Sequence, residues 1–201
     1  QASSITAAPV ESEAVHDVAN PANHQDSVGN AAFIKVDAIA DVVATAKAAE
    51  HSWAAIAPAA RAAILRRIAD LFEAHTAELM SLAVREAGKT LNNAVAEVRE
   101  AVDFCRYYAD QLRDSPAQGI MVAISPWNFP LAIFVGEVIA GLAAGNAVIA
   151  KPAEQTPLIA YTAIQLMHQA GVPTDALQLV LGAGDVGAAL TANPAIAGVI
   201  F

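Results

Sequence analysis

Lys151 and Glu154 stand three residues apart, directly behind the short apolar run Ala147–Ala150. An ammonium and a carboxylate at that spacing suit a nucleotide. The cation donates to ribose or phosphate oxygens, and the carboxylate accepts ribose hydroxyls. A plainer arrangement uses the same two side chains as a local ion pair at the helix that starts near Pro157, since acids favour helix N-termini. Further on, Gly182-Ala183-Gly184-Asp185-Val186-Gly187 fits the glycine fingerprint of a dinucleotide turn, between an apolar run and a helical pattern. A tight strand-to-helix turn would use the same glycines, and the ribose acid expected about 20 residues later falls beyond Phe201. If a dinucleotide binds there, Glu154 takes the ribose role. Asn128 offers a side-chain amide inside a third turn, Pro126-Trp127-Asn128-Phe129-Pro130.

Three other patterns carry less. Gly88-Lys89-Thr90 looks like the end of a phosphate-binding loop, but Ala83 stands where that loop needs glycine, and the segment joins two helical patterns. His16, His24, His51, His75 and His168 show no pair at metal-ligand spacing, so no metal site is expected. Cys105 falls on the apolar stripe of a helix, which marks a buried structural thiol rather than a nucleophile.

The elements that must position these residues are legible from periodicity. Asp37 is placed to cap a helix through Val42, Val43 and Ala46 towards Trp53. Pro58 opens a second, with Ile64, Leu65, Ile68, Leu71 and Phe72 on one face. Thr76 opens a third, which Gly88 closes. Thr90 starts the longest, with Leu91, Val95, Val98, Val102, Cys105, Ala109 and Leu112 as its apolar stripe and Glu97, Glu100 and their charged neighbours mostly off it. Beyond that the period changes. Ile120–Ser125, Ala147–Ala150, Leu177–Leu181 and Gly198–Phe201 have strand length, and helical runs Leu131–Ala144 and Leu158–Ala170 plus a short one after the glycine turn separate them. Strands alternating with helices predict βαβ units and a buried parallel sheet. The fold class is α/β: a helical layer, then a βαβαβαβ sheet that lacks its C-terminal part.

Length and charge agree with that layout. The 201 residues carry a net charge of −9 and a pI near 4.8, which argues against nucleic acid or an anionic membrane as the main partner. One cysteine excludes an internal disulfide framework. A mean hydropathy of +0.43 raises the question of a membrane span. Yet the longest uncharged run, Ser115–Gly136, contains Pro116, Pro126 and Pro130, and no transmembrane segment is expected. After residue 114 the only charged side chains are Glu137, Lys151, Glu154, Asp175 and Asp185, the mark of a buried sheet. Residues 1–30 lack Lys, Arg and any sustained apolar stretch, so they read as an extended or disordered lead-in, not a secretory leader. Residues 31–114 read as the helices and 115–201 as Rossmann-like βα units. Cytoplasmic placement is the expectation.

Ser125-Pro126-Trp127-Asn128-Phe129-Pro130, Ala144-Gly145-Asn146, Lys151-Pro152-Ala153-Glu154-Gln155-Thr156-Pro157 and Ala170-Gly171-Val172-Pro173 occur in an order and spacing that resemble the aldehyde dehydrogenase superfamily. The resemblance covers roughly Val18 to Phe201. Ala83–Thr90 and Glu97–Tyr108 narrow it: with Lys151–Leu158 they are similar to the L-glutamate γ-semialdehyde (1-pyrroline-5-carboxylate) dehydrogenase module of bifunctional proline utilization A enzymes. By that resemblance Asn128 belongs to an oxyanion hole. Ile124, Pro126 and Trp127 line the nicotinamide side of an NAD cleft. Lys151 and Glu154 hold the adenosine ribose, Ala153 is small where the chain passes close, and Gly182 and Gly187 let the backbone approach the adenosine diphosphate. Phe129 flanks the aldehyde's stem. Glu100 lies near the amino-acid end of the substrate, or is simply a solvated helix residue.

A carboxylate at Glu154 favours NAD over NADP. The family's catalytic cysteine, its general-base glutamate and its Thr-Gly-Ser turn match positions beyond Phe201, so the chain alone is expected to be an inactive fragment of an oligomeric enzyme, with a proline dehydrogenase fused or as partner. Two alternatives stand beside this: a non-catalytic truncated homologue or interaction fragment, and another NAD(P)-dependent semialdehyde dehydrogenase.

Overall fold

The computed structural model describes residues 1–113 and 116–201, so the boundary drawn at 114/115 lies outside the described residues. Its first departure from expectation is at the N-terminus. Ala2–Ser3 (β1), Ser12–Asn20 (β2) and Asn23–Ile34 (β3) form a small sheet in the order β1-β3-β2, with β2 and β3 an antiparallel hairpin. In place of a disordered lead-in over residues 1–30 there is a folded hairpin whose second strand continues past residue 30 to Ile34. Most of β2 is exposed, so it lacks the inside–outside alternation that betrays a strand. Polar ties hold it instead. The Arg85 guanidinium donates to both carboxylate oxygens of Asp26, at 2.6 and 3.2 Å, and Asn20 Nδ2 donates to the same carboxylate.

A 3-10 turn at Val36–Ala38 leads into α1 (Ile39–Ala54), followed by α2 (Pro58–Ala74), α3 (Thr76–Ala87) and α4 (Leu91–Gln111). Asp37 lies inside the 3-10 turn and makes no capping hydrogen bond, so the expected cap is absent. Gly88 closes α3 at φ 66°, a conformation glycine adopts without a steric penalty. Thr90 caps α4 through its hydroxyl, which accepts from Asn93 N at 3.2 Å.

The α4 stripe holds from Val98 through Val102 and Cys105 to Ala109, all buried, but not in the helix's first turns. Leu91 and Val95 are exposed, while Ala94, Glu97, Val98, Ala101, Val102 and Cys105 are buried. The helix packs between α2 and α5 rather than on one flat surface, so small alanines face the close approach and an acid ends up inside. Burial pushes the Cys105 thiol up to about 12, which keeps it protonated and inert.

The remaining elements alternate as expected: β4 (Ile120–Ile124), α5 (Ala132–Ala143), β5 (Ala147–Lys151), α6 (Pro157–Gln169), β6 (Leu177–Leu179), α7 (Gly184–Ala192) and β7 (Ile196–Ile200). All four strands are parallel, in the order β6-β5-β4-β7. The third strand is shorter than the apolar run, and the fourth starts earlier, at Ile196.

Alternate residues serve opposite faces of the sheet, as a period of two requires. Ile120, Val122, Ala147 and Ile149 pack with Val42, Val43 and Ala46 of α1 and Val186 and Leu190 of α7. Ala123, Val148 and Ala150 join the larger core built with α5, α6 and α2–α4, where Phe72, Phe134, Ile139 and Leu142 are fully buried. Each such side chain contributes roughly 1.5–3 kcal/mol. Buried Gln178 staples β6 to α1, donating to Val42 O at 2.9 Å and accepting from Thr45 Oγ1 at 3.1 Å. The N-terminal segment closes the β6 edge: Ile5 and Leu179 exchange two backbone hydrogen bonds, and Ile34 N donates to Leu181 O. Among the described residues no helix is long and apolar enough to cross a membrane.

Glu137 is the oddity of the core. It lies on α5, one turn before Gly141, whose added Cβ would meet Val148 and Met121 of the sheet, and both its carboxylate oxygens are buried without a partner. Burial pushes the carboxyl up to about 8. The native state therefore holds a proton that the unfolded chain releases near 4.5, and the stability it brings below that pH is lost as pH rises through 8. Glu137→Gln cannot ionise. Thermal unfolding should show the variant matching the parent at pH 5 but melting higher at pH 8.5, by about 2–4 °C for each kcal/mol recovered. Equal melting temperatures at pH 8.5 would refute the assignment.

Candidate active-site edge

Strand register sets three loops side by side. Ile124 pairs with Lys151, and Ala150 with Leu179. Ser125 N donates to Lys151 O at 3.3 Å and Val180 N to Ala150 O at 2.9 Å. The turns after β4, β5 and β6 therefore leave the sheet together at its carboxyl edge, where open α/β sheets bind their ligands.

Lys151 is the cation of this edge. It is only 4% exposed, and its Nζ donates to Pro152 O at 3.3 Å. Burial lowers its pKa, and the charges of Glu154 and Asp185 oppose that shift. Gly187, in the first turns of α7, faces the lysine stem: a Cβ there would lie 3.5 Å from Lys151 Cδ and Cε. Gly182 serves the turn itself, because a Cβ at that position would come within 2.5 Å of Val186. Ala153 is half-buried beside them. Asp185 is the acid that sequence reasoning did not place in the site. Its signal was its position inside the glycine turn, where the structure brings its charge to bear on Lys151.

Glu154 is exposed and accepts from Gln155 Nε2 at 3.2 Å. It makes no ion pair with Lys151 among the described residues, and it does not cap α6. That work belongs to Glu86 of α3, whose two carboxylate oxygens accept from Leu158 N at 2.6 Å and Ile159 N at 2.9 Å. Burial pushes Glu86 up to about 7 in spite of those two amide donors. The local ion pair expected as the plain alternative is therefore absent, and Glu154 remains open to a ligand.

The turn after β4 is held the same way. Glu97 of α4, 2% exposed, accepts from Leu131 N at 3.2 Å and Ala132 N at 2.8 Å, the first amides of α5. Its other oxygen lies 2.7 Å from Lys89 Nζ, and that ammonium sits 4.2 Å from the centroid of the Phe129 ring. Ile124 and Pro126 are half-buried. Trp127 and Phe129 are exposed, at 56% and 40%, as is Asn128, whose amide has no partner among the described residues. Glu100, also without a partner there, is exposed on α4 one turn beyond Glu97. Lys89, Glu86 and Glu97 were all missed as organisers of the site. Their types and spacing resemble solvated helix residues, and only the packing of α3 and α4 turns them inward.

An unpaired amide, two exposed aromatic faces, a buried lysine and a free carboxylate thus share one edge of a parallel sheet. That is the edge at which open α/β sheets place their ligand-binding loops. The chain belongs to the aldehyde dehydrogenase family: the family's model matches residues 8–201. It is 49% identical over 203 residues to the bifunctional protein PutA of Klebsiella aerogenes, covering 96% of this chain and 15% of that protein. It is 38% identical over 194 residues to a 1-pyrroline-5-carboxylate dehydrogenase of Anoxybacillus flavithermus, covering 87% of this chain and 38% of that one. The crystal structure of proline utilization A from Bdellovibrio bacteriovorus superposes with a TM-score of 0.93 at 29% identity, over 98% of this chain and 23% of that chain. The chain therefore spans well under half the length of these relatives.

Two buried carboxylates, not the exposed Glu154, should carry stability at this edge. Glu86→Ala and Glu97→Ala each strand two helix amides, at roughly 1–3 kcal/mol per amide. Glu154→Ala should stay within about 0.5 kcal/mol of the parent. Urea unfolding midpoints separate the two cases, and a Glu86→Ala midpoint equal to that of Glu154→Ala would contradict the capping role.

Proposed function

We propose that the protein carrying this chain oxidises L-glutamate γ-semialdehyde to L-glutamate with NAD, as a 1-pyrroline-5-carboxylate dehydrogenase of the proline utilization A type. The observation that supports it best is the pairing of 49% identity to a PutA with an exposed, unpaired Asn128 at the carboxyl edge of the sheet. The match covers 96% of the chain.

Asn128 directs its side-chain N–H groups at the oxygen of the aldehyde. As a thiolate from outside this chain adds to the carbonyl carbon, negative charge collects on that oxygen, and the amide donates to it. Phe129 and Trp127 offer apolar faces, the first to the aldehyde's stem and the second, with Ile124 and Pro126, to the nicotinamide side. NAD supplies the hydride acceptor when bound. The residues present fit such a group: buried Lys151 has protons beyond the one given to Pro152 O, and Glu154 has an oxygen beyond the one that takes the Gln155 amide. Ala153 and Gly187 keep the surroundings of Lys151 small. Glu154 repels a 2′-phosphate, which favours NAD over NADP. Glu100 lies on the neighbouring helix, on the side of the substrate's amino-acid end. A proline dehydrogenase, fused or separate, would supply the substrate.

Steady-state assays of the full-length enzyme test this. Asn128→Ala should lower kcat by roughly 10²–10³, while Glu154→Ala should raise KM for NAD and narrow the preference over NADP. A panel of semialdehydes in which succinate semialdehyde outperforms the glutamate compound would replace the proposed substrate. An absence of aldehyde-dependent NADH formation would remove the enzymatic proposal.

A further inference from the structure

We propose that Lys89, held by Glu97, is a positioning residue for the Asn128 turn. The inference rests on the aldehyde dehydrogenase reading of that turn and adds a group to it. Asn128 is exposed and has no hydrogen bond of its own among the described residues, so its aim depends on its neighbours. One residue later, the Phe129 ring carries the Lys89 ammonium 4.2 Å from its centroid. Two residues after that, the amides of Leu131 and Ala132 are fixed by Glu97 Oε2. The same carboxylate, through Oε1, holds Lys89 Nζ at 2.7 Å. Buried Pro130 separates the two anchor points and removes most of the remaining backbone freedom.

The lysine is itself well fixed. Its side chain is 13% exposed, and it stands in the short linker between Gly88, the left-handed stop of α3, and Thr90, the cap of α4. Its cation–π contact is partly desolvated, the condition in which such contacts are strongest. One ammonium therefore joins the helical layer to the face of the ring beside the reacting amide. Its contacts are the Glu97 carboxylate and the Phe129 ring. Its effect passes through Phe129 and Glu97.

The test uses the full-length enzyme and three variants. Lys89→Met keeps the apolar stem and removes the charge, and Lys89→Arg keeps charge and ring contact. The double variant Lys89→Met with Asn128→Ala measures coupling. Displacing a reactive group by about an ångström costs up to roughly a hundredfold. Lys89→Met is expected to lower kcat at least roughly tenfold with KM for NAD unchanged, and Lys89→Arg to recover most of it. In the Asn128→Ala background, Lys89→Met should cost almost nothing more, because the group it positions is gone. Wild-type kcat in Lys89→Met would overturn the proposal, as would multiplicative losses in the double variant.

A loss that Lys89→Arg does not recover would also overturn it. Should the wild-type enzyme form no NADH from any aldehyde, the function falls but the positioning is still read by NMR. The side-chain amide signal of Asn128 should then move in Lys89→Met and return in Lys89→Arg, and an unmoved signal refutes it.

Discussion

A helix that begins inside a protein leaves amide protons with nowhere to go unless an acceptor is brought to them. Here α5 and α6 both begin against the helical layer, and neither has a side-chain cap of its own. Thr156, at the usual capping position of α6, keeps its hydroxyl buried and unbonded. The acceptors come from another layer: Glu97 from α4 and Glu86 from α3, each taking two amides. A carboxylate facing the positive end of a helix is doubly favoured, by charge and by hydrogen bonds. The constraint works in both directions. The crossover helices cannot shift without breaking with α3 and α4, and those two helices cannot keep two buried carboxyl groups in the core without the amides.

The ligand-facing edge inherits its geometry from these two clamps. The turn carrying Asn128 ends where Glu97 takes hold, and the loop carrying Lys151 ends where Glu86 does. Because Glu86 satisfies α6, Glu154 is released from any capping duty and stays in solvent. Burial lowers the pKa of Lys151, and two nearby acids oppose that shift, Glu154 on its own loop and Asp185 beyond the turn after β6. The helical layer is thus a scaffold for the edge as much as a cover for the sheet.

Much of this was legible beforehand. The change of period after residue 114, Pro58 at the head of α2, Gly88 at the end of α3 and the Thr90 cap all follow from local chemistry that operates the same way in any context. Three things were not. The hairpin at 12–34 is exposed along most of β2 and the first half of β3, so little burial pattern marks it before Ala31, and Asp26–Arg85 ties it down across about sixty residues of chain. The start of α4 was misjudged because alanines pack as tightly as larger side chains when two helices approach: Leu91 and Val95 lie outside and Ala94 inside, while Val98, Val102, Cys105 and Ala109 are buried as their spacing requires. Glu86, Lys89 and Glu97 looked like surface residues, since a charged side chain discloses its partner only once the fold has delivered it. The motifs of the site itself, Asn128 to Pro130 and Lys151 to Pro157, were visible because they lie in turns where few residues would serve.

The pairing of Ile5 with Leu179 has a bearing on how such a chain comes to be folded. These residues exchange two backbone hydrogen bonds across nearly the whole length of the described sequence. A growing chain makes Ile5 long before β6 exists to receive it. The segment around Ile5 must therefore wait, with its backbone groups in water, while the intervening helices and strands form from nearer neighbours. Contacts between such distant residues come late, since the entropy of closing so large a loop is recovered only after the rest has condensed. The seam at the β6 edge is the place where synthesis and folding run most out of step.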